Sequence, residues 1–310
     1  MTRLADALRR AEDAEDLIGR DPRAQAVAGP ADEISGSVFT PGLAAPDGPA
    51  GYDSVSAAVE PGTDQTQSLR AFQGFSANTV GKLIVTPAMP SSAVEQYRRL
   101  AASLHHAQFE RGVKVVMVTS AAPNEGKTLT TTNLALTLSE SYHRNVLLID
   151  GDLRRPSIHQ VFQIPNVLGL NDGLKSETDQ KLSLIQISEY LTVLPAGRPD
   201  PDPMSGLTSD RMRRLVREAA ARFEWVLIDT PPVGFLSDAN LLAAMVDGAL
   251  FVVRAGKSPF RLIQRALDAV GRNRIIGVVL NAVKQSDDVV GYGYYGYYGH
   301  PVEPQKKKRK

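Results

Sequence analysis

Three short stretches of this 310-residue chain carry residue types and spacings that could handle a nucleoside triphosphate. They are SAAPNEGKT at 120–128, LLIDGDLRRPS at 147–157 and WVLIDTPP at 225–232. The first fits the pattern GxxxxGK(S/T), with Ala121 in place of the first glycine. In such a loop the backbone of Asn124, Glu125, Gly126, Lys127, Thr128 and Leu129, continuing into a helix N-terminus, cradles phosphates. Lys127 is placed to reach the β- and γ-phosphates, and the Thr128 hydroxyl to enter a Mg2+ shell. In the second stretch, Asp150 and Asp152 are hard oxygen donors that could hold Mg2+ and orient a nucleophile's hydroxyl. The same pair could instead cap the next helix or pair with Arg154 and Arg155. In the third, Asp229 ends a hydrophobic run, the Walker B arrangement, which touches Mg2+ directly or through water.

These groups need a scaffold that gathers strand ends. Short apolar runs at 113–118, 146–149, 191–194, 226–228, 250–253 and 275–280 read as strands buried on both faces. Amphipathic stretches at 128–141, 209–222, 238–245 and 259–272 separate several of them and read as helices. The alternation predicts an α/β fold, a doubly wound and mostly parallel sheet, with its ligand at the C-terminal strand ends. A further helix is expected from Ser91 or Ser92, either of which suits an N-cap, to about residue 110. The last strand is expected to end near Val283. Asn281, in VVLNAV, sits where related nucleotide-binding folds contact the adenine; the alternative is a loop Asn satisfying nearby backbone. Arg254, after FVV, carries no assignment, and no histidine pair has metal-ligand spacing.

Beyond the last strand, five of the nine tyrosines fall within seven residues: Tyr292, Tyr294, Tyr295, Tyr297 and Tyr298. Interleaved glycines argue against helix or strand, so the phenols are expected on an accessible tail. About nine residues separate Val283 from Tyr292, a reach of roughly 30 Å. The chain closes on KKKRK, a basic end that could touch anionic lipid or simply solubilise. Nucleic-acid binding is not expected, because the basic run is short and no recognition motif accompanies the tyrosines.

The remaining organisation follows from composition. Residues 1–18 form a possible amphipathic docking helix, with Leu4, Leu8, Ala11 and Leu17 on one side. Residues 19–86 are rich in Gly, Pro, Ala, Ser and Asp and read as a disordered linker. The catalytic-type domain is expected at 87–285 and the tyrosine-rich tail at 286–310. Net charge is +1 and there is no cysteine, so disulfides and thiolate metal sites are excluded. No apolar run reaches about 18 residues, and the N-terminus lacks a secretion-signal core, so a cytoplasmic location is expected.

Taken in order, the three motifs and the tyrosine cluster resemble the bacterial tyrosine kinase (BY-kinase) family, over about residue 87 to the C-terminus. Its P-loop pattern S-x-x-P-G-E-G-K-S/T matches at Ser120, Pro123, Glu125, Gly126, Lys127 and Thr128, with Asn124 at the usual glycine. Its D-x-D-x-R segment matches at Asp150, Asp152 and Arg154, and its Asp-Thr-Pro-Pro at Asp229–Pro232. The resemblance implies an ATP- and Mg2+-dependent, non-specific protein-tyrosine kinase that autophosphorylates its tyrosine cluster, in trans, and regulates exopolysaccharide polymerisation and export. It further implies a homo-oligomer, a separate membrane adaptor or polysaccharide co-polymerase that recruits the chain to the inner membrane face, and a tyrosine phosphatase. The subunit-contact pattern E-x-x-R-x-x-R matches at Glu95 and Arg98, but Ala101 replaces the last arginine. Two rivals are a MinD/ParA-type ATPase switch, whose second P-loop lysine is Ala122 here, and a non-catalytic ATP-binding regulator of polysaccharide assembly.

Overall fold

The computed structural model describes the backbone of Ser37–Phe39 and residues 72, 74–176, 182–234 and 238–283. The docking helix at 1–18, the tyrosine run and the basic end lie outside the described residues. Eight strands form one sheet: β1 (Ser37–Phe39), β2 (Val115–Ser120), β3 (Val146–Asp150), β4 (Leu182–Gln186), β5 (Leu191–Leu194), β6 (Trp225–Asp229), β7 (Gly248–Arg254) and β8 (Ile275–Asn281). Their spatial order is β1-β4-β5-β3-β6-β2-β7-β8. From β5 to β8 every neighbouring pair is parallel. β4 is antiparallel to β5, and β1 to β4.

The β-branched runs sit in the middle of this sheet because both of its faces are covered. Val116, Val118 and Leu148 point into one apolar layer with Leu134 and Leu136. Val115, Met117, Leu147 and Ile149 point into the other, against Met212, Leu215 and Val216. Alternate residues therefore bury on opposite sides, and neither side offers a polar face. The helices Lys127–Leu136, Asp210–Arg222, Asp238–Ala243 and Phe260–Val270 complete the expected doubly wound α/β fold.

Three expectations change. The helix Ser91–Arg111 is preceded by Pro90 at the N-cap, so Ser91 is its first residue and neither serine caps it. β8 ends at Asn281, two residues before the expected stop. The linker assignment at 19–86 fails at β1, which pairs with β4, and in its last part, where Phe75, Val80, Leu83 and Ile84 are buried core residues. Phe75 packs in a ring cluster with Phe72 and Phe162, at centroid distances of 5.4 and 5.5 Å. Buried Asn133 of the P-loop helix accepts from the Ile84 N–H (2.9 Å) and donates to the Lys82 carbonyl (2.9 Å). Five irregularly spaced apolar residues thus dock on the core without a periodic element to announce them.

Parallel pairing brings the chemistry to one edge. Asp150 and Asp229 end adjacent strands as register partners. Ser120, where the P-loop begins, lies opposite Val252, two residues before the end of β7.

Candidate active site

The loop leaving β2 turns through two left-handed residues, Asn124 (φ 62°) and Gly126 (φ 93°). Asn tolerates that region better than other side chains. At 126 the φ of 93° favours glycine, and a Cβ there would also displace the Asn281 amide, 2.0 Å away. Gly126 is also the N-cap of the helix Lys127–Leu136 and supplies no side-chain cap. The first N–H groups of that helix therefore remain available to an anion, reinforced by the helix dipole. Pro123 and Glu125 fix the approach. The Glu125 carboxylate accepts from the Ala122 N–H (2.9 Å) and from the Ser258 hydroxyl, so its buried side chain holds the loop.

Lys127 Nζ donates to Asp152 Oδ2 (3.1 Å) and lies 3.9 Å from Asp229 Oδ2. The Thr128 hydroxyl donates to Asp229 Oδ2 at 2.6 Å, and the Thr131 hydroxyl lies 3.4 Å from the other Asp229 oxygen. Ser157 Oγ is 3.3 Å from Thr128 Oγ1. Asp150 and Asp229 are fully buried, and Asp152 is 6% exposed. Asp150 Oδ2 accepts from the Ser157 and Ile158 N–H groups, each at 2.9 Å, so this carboxylate caps the next turn as well as facing the site. Gly151 allows the close approach: its N–H donates to the Asp229 carbonyl at 2.8 Å, and a Cβ would collide with the same oxygen.

Charge is crowded here. Burial, and then the charge of Asp229, push the Asp150 carboxyl up to about 7. Burial also raises Asp229, outweighing the opposing effects of Lys127 and the Thr128 hydroxyl. Burial disfavours the Lys127 ammonium, yet Asp229 and Asp152 overcome it and hold its pKa above the usual lysine range. A cluster of buried carboxylates facing one lysine and two hydroxyls is well matched to a divalent cation and a polyphosphate. Among the described residues, no three His, Cys, Asp or Glu side chains converge as a self-sufficient metal cage. Mg2+ takes one or two carboxylates plus substrate phosphates and keeps several waters. The donor set, all hard oxygens, fits the ion.

Other expected residues fall differently. Asn281 reaches the loop, where Nδ2 donates to the Glu125 carbonyl (2.8 Å) and Oδ1 accepts from the Ala282 N–H (2.8 Å). Both polar ends of its side chain are thus engaged by backbone. Arg154 grips Asp238 through two nitrogens (2.6 and 3.2 Å) and also donates to the Pro201 carbonyl. Glu95 and Arg98 form an exposed pair at 3.7 Å on the helix Ser91–Arg111. Leu129 lies in the first turn of the P-loop helix, partly buried against the core. Three residues without a sequence assignment join the site: Thr131, Ser157 and Arg254, the last donating to the Asn124 carbonyl at 3.0 Å. Only strand register, which composition does not carry, brings Arg254 to the loop.

A P-loop at the switch point of a doubly wound sheet, backed by two strand-end aspartates, defines a P-loop nucleotide-binding fold. Comparison with known proteins narrows the class. Tyrosine-protein kinase YwqD of Bacillus subtilis is 35% identical over 203 residues, 64% of this chain and 85% of that protein. Tyrosine-protein kinase wzc of Salmonella typhimurium is 31% identical over 232 residues, 73% of this chain but only 32% of that longer protein. The solved kinase domain of Escherichia coli tyrosine kinase ETK superposes with a TM-score of 0.58 at 34% identity, over 66% of this chain and 81% of that one. The chimerical protein CapA2B2 gives the same TM-score at 29% identity, over 66% and 91%. No family model matches the chain. The chain belongs to the bacterial tyrosine kinase family.

Proposed function

We propose that this chain is an ATP-dependent protein-tyrosine kinase that phosphorylates the tyrosine cluster at its own C-terminus, between neighbouring copies. The observation that carries the reading is the contact of Asn281 with the P-loop. The chain leaves the described structure at the nucleotide edge of the sheet, with Tyr292 nine and Tyr298 fifteen residues beyond Val283, maximum reaches of roughly 30 and 50 Å. The family membership and the Lys127–Asp152–Asp229 cluster support it.

In this reading the backbone from Asn124 to Leu129 binds the phosphates, and Lys127 exchanges its carboxylate partners for them. Thr128, with Asp229 and Asp150, would hold Mg2+. When bound, the ion would neutralise charge on the substrate phosphates. A tail phenol oxygen attacks the γ-phosphorus, the bond to the bridging oxygen breaks, and ADP departs. The phenol proton passes to an aspartate. Asp152 is the better placed, because it is 6% exposed where Asp150 is fully buried, and Lys127, once drawn to the phosphates, releases its Oδ2. Catalysis is positioning and electrostatic stabilisation, as phosphoryl transfer demands.

The wider setting follows the family. The kinase unit runs from about residue 72 to 283, Glu95 and Arg98 face neighbouring copies, and a phosphatase reverses the reaction. Residues 1–18 bind a membrane-embedded polysaccharide co-polymerase, bringing the chain to the inner membrane face and coupling it to exopolysaccharide export. No helix of the described residues is long and apolar enough to cross a membrane.

A mixing experiment tests the transfer. A Lys127→Met chain, which keeps its tail, is combined with a chain whose five tail tyrosines are phenylalanine. With Mg2+–ATP, phosphotyrosine is expected on the Lys127→Met chain, and its failure to appear there rejects transfer between copies. Phosphate release without phosphotyrosine from the wild-type chain identifies an ATPase switch instead.

A further inference from the structure

We infer that Arg254 and Asn281 are positioning residues that hold the P-loop with two backbone N–H groups turned toward the nucleotide, an inference that rests on the nucleotide site proposed above. The two residues are register partners at the ends of β7 and β8. Arg254 donates to the Asn124 carbonyl (3.0 Å) and Asn281 to the Glu125 carbonyl (2.8 Å). A trans peptide is planar, so its carbonyl and N–H point in opposite directions. Pinning the Asn124 oxygen therefore fixes the Glu125 N–H, and pinning the Glu125 oxygen fixes the Gly126 N–H. If either peptide turned over, an acceptor would replace a donor facing the phosphates and repel them.

This loop needs such restraint. Asn124 and Gly126 both lie in the left-handed region, on either side of the two pinned peptides. Gly126 has no side chain of its own to anchor it. Around the pair, the same strand ends supply further supports. Ser258 donates to the Glu125 carboxylate, and the Ala255 N–H donates to the Asn281 carbonyl (2.9 Å), locking the two strand ends together. Two consecutive loop residues, Asn124 and Glu125, are thus held by three side chains, one each from β7, β8 and the turn between β7 and the next helix. The grip on Asn124 comes from a guanidinium, whose charge-assisted bond is stronger than a neutral one.

The test uses the full chain, a fluorescent ADP analogue with Mg2+, and steady-state kinetics with ATP. Arg254→Ala should weaken binding of the analogue and raise KM for ATP about tenfold, the loss of one hydrogen bond to a charged group, while kcat stays within about twofold. Arg254→Lys, which can still donate to the Asn124 carbonyl, should recover most of the affinity. Arg261→Ala, removing an exposed cation on the next helix, should change neither. The Arg254→Ala loss should persist in about 1 M salt, where fields between exposed charges are screened over roughly 3 Å.

Affinity unchanged in Arg254→Ala, a defect that vanishes in high salt, or a fall in kcat at constant KM each overturns the positioning role. If Arg254→Ala does not fold, Arg254→Lys is compared with Arg254→Met, which keeps an apolar stem but has no donor: equally weak affinity in the two rejects the carbonyl contact. Failure of the wild-type chain itself to bind the analogue removes the nucleotide reading and this inference together.

Discussion

Asp150 shows how one side chain can satisfy two readings at once. Its carboxylate caps the turn that begins at Ser157, one of the two roles open to it in the sequence, and it stands beside Asp229 at the nucleotide edge. That crowding has a measurable consequence. Its carboxyl titrates at about 7 in the fold, against an ordinary value of 3.8. Between these values the folded chain binds more protons than the unfolded chain, so this group's contribution to stability is complete below about pH 4 and declines as pH rises through 7. Asp150→Asn keeps an oxygen for the Ser157 and Ile158 N–H groups but no longer ionises. Its stability relative to wild type should therefore increase from pH 5 to pH 8 in urea unfolding with EDTA present. A difference that is flat with pH, or that shrinks, contradicts the assignment of Asp150 as a buried carboxylate destabilised by ionisation.

At the scale of elements, legibility followed periodicity. The six parallel strands could be read because their apolar runs are short and mostly β-branched, which decides for strand over buried helix, and the P-loop helix because its motif opens an apolar helical stretch. β4 escaped because Leu182–Gln186 is short and mixed, and gains its identity by pairing antiparallel with β5. Residues 74–86 escaped for a different reason: only the four-residue helix Ala77–Val80 is regular there, and composition resembles a linker. Their burial predicts what composition alone does not. Leu83 is fully buried, so Leu83→Ala should cost roughly 2–5 kcal/mol of unfolding free energy. An exposed linker position would give a change near zero, and chemical denaturation distinguishes the two. The functional motifs were legible as strings, but the roles of Asn281 and Arg254 were not, because they depend on which strands become neighbours.

For the whole molecule, the sheet order is what joins the nucleotide site to the chain's own C-terminus. β8 lies beside β7, which lies beside β2, so the end of the last strand returns to the loop that follows the first of the parallel strands. The last strand thus ends at the site's edge, where Asn281 bonds the P-loop. On the proposed reading, each phosphotyrosine would add about −1.5 to −2 charges beside the basic KKKRK end that follows. The most direct measurement of the central claim is intact-mass and peptide mass spectrometry of the purified chain after incubation with Mg2+–ATP. The account predicts stepwise phosphate additions that map to Tyr292, Tyr294, Tyr295, Tyr297 and Tyr298 and are missing from the Lys127→Met chain incubated alone. A wild-type tail that stays unmodified, or one modified equally in Lys127→Met, would contradict it.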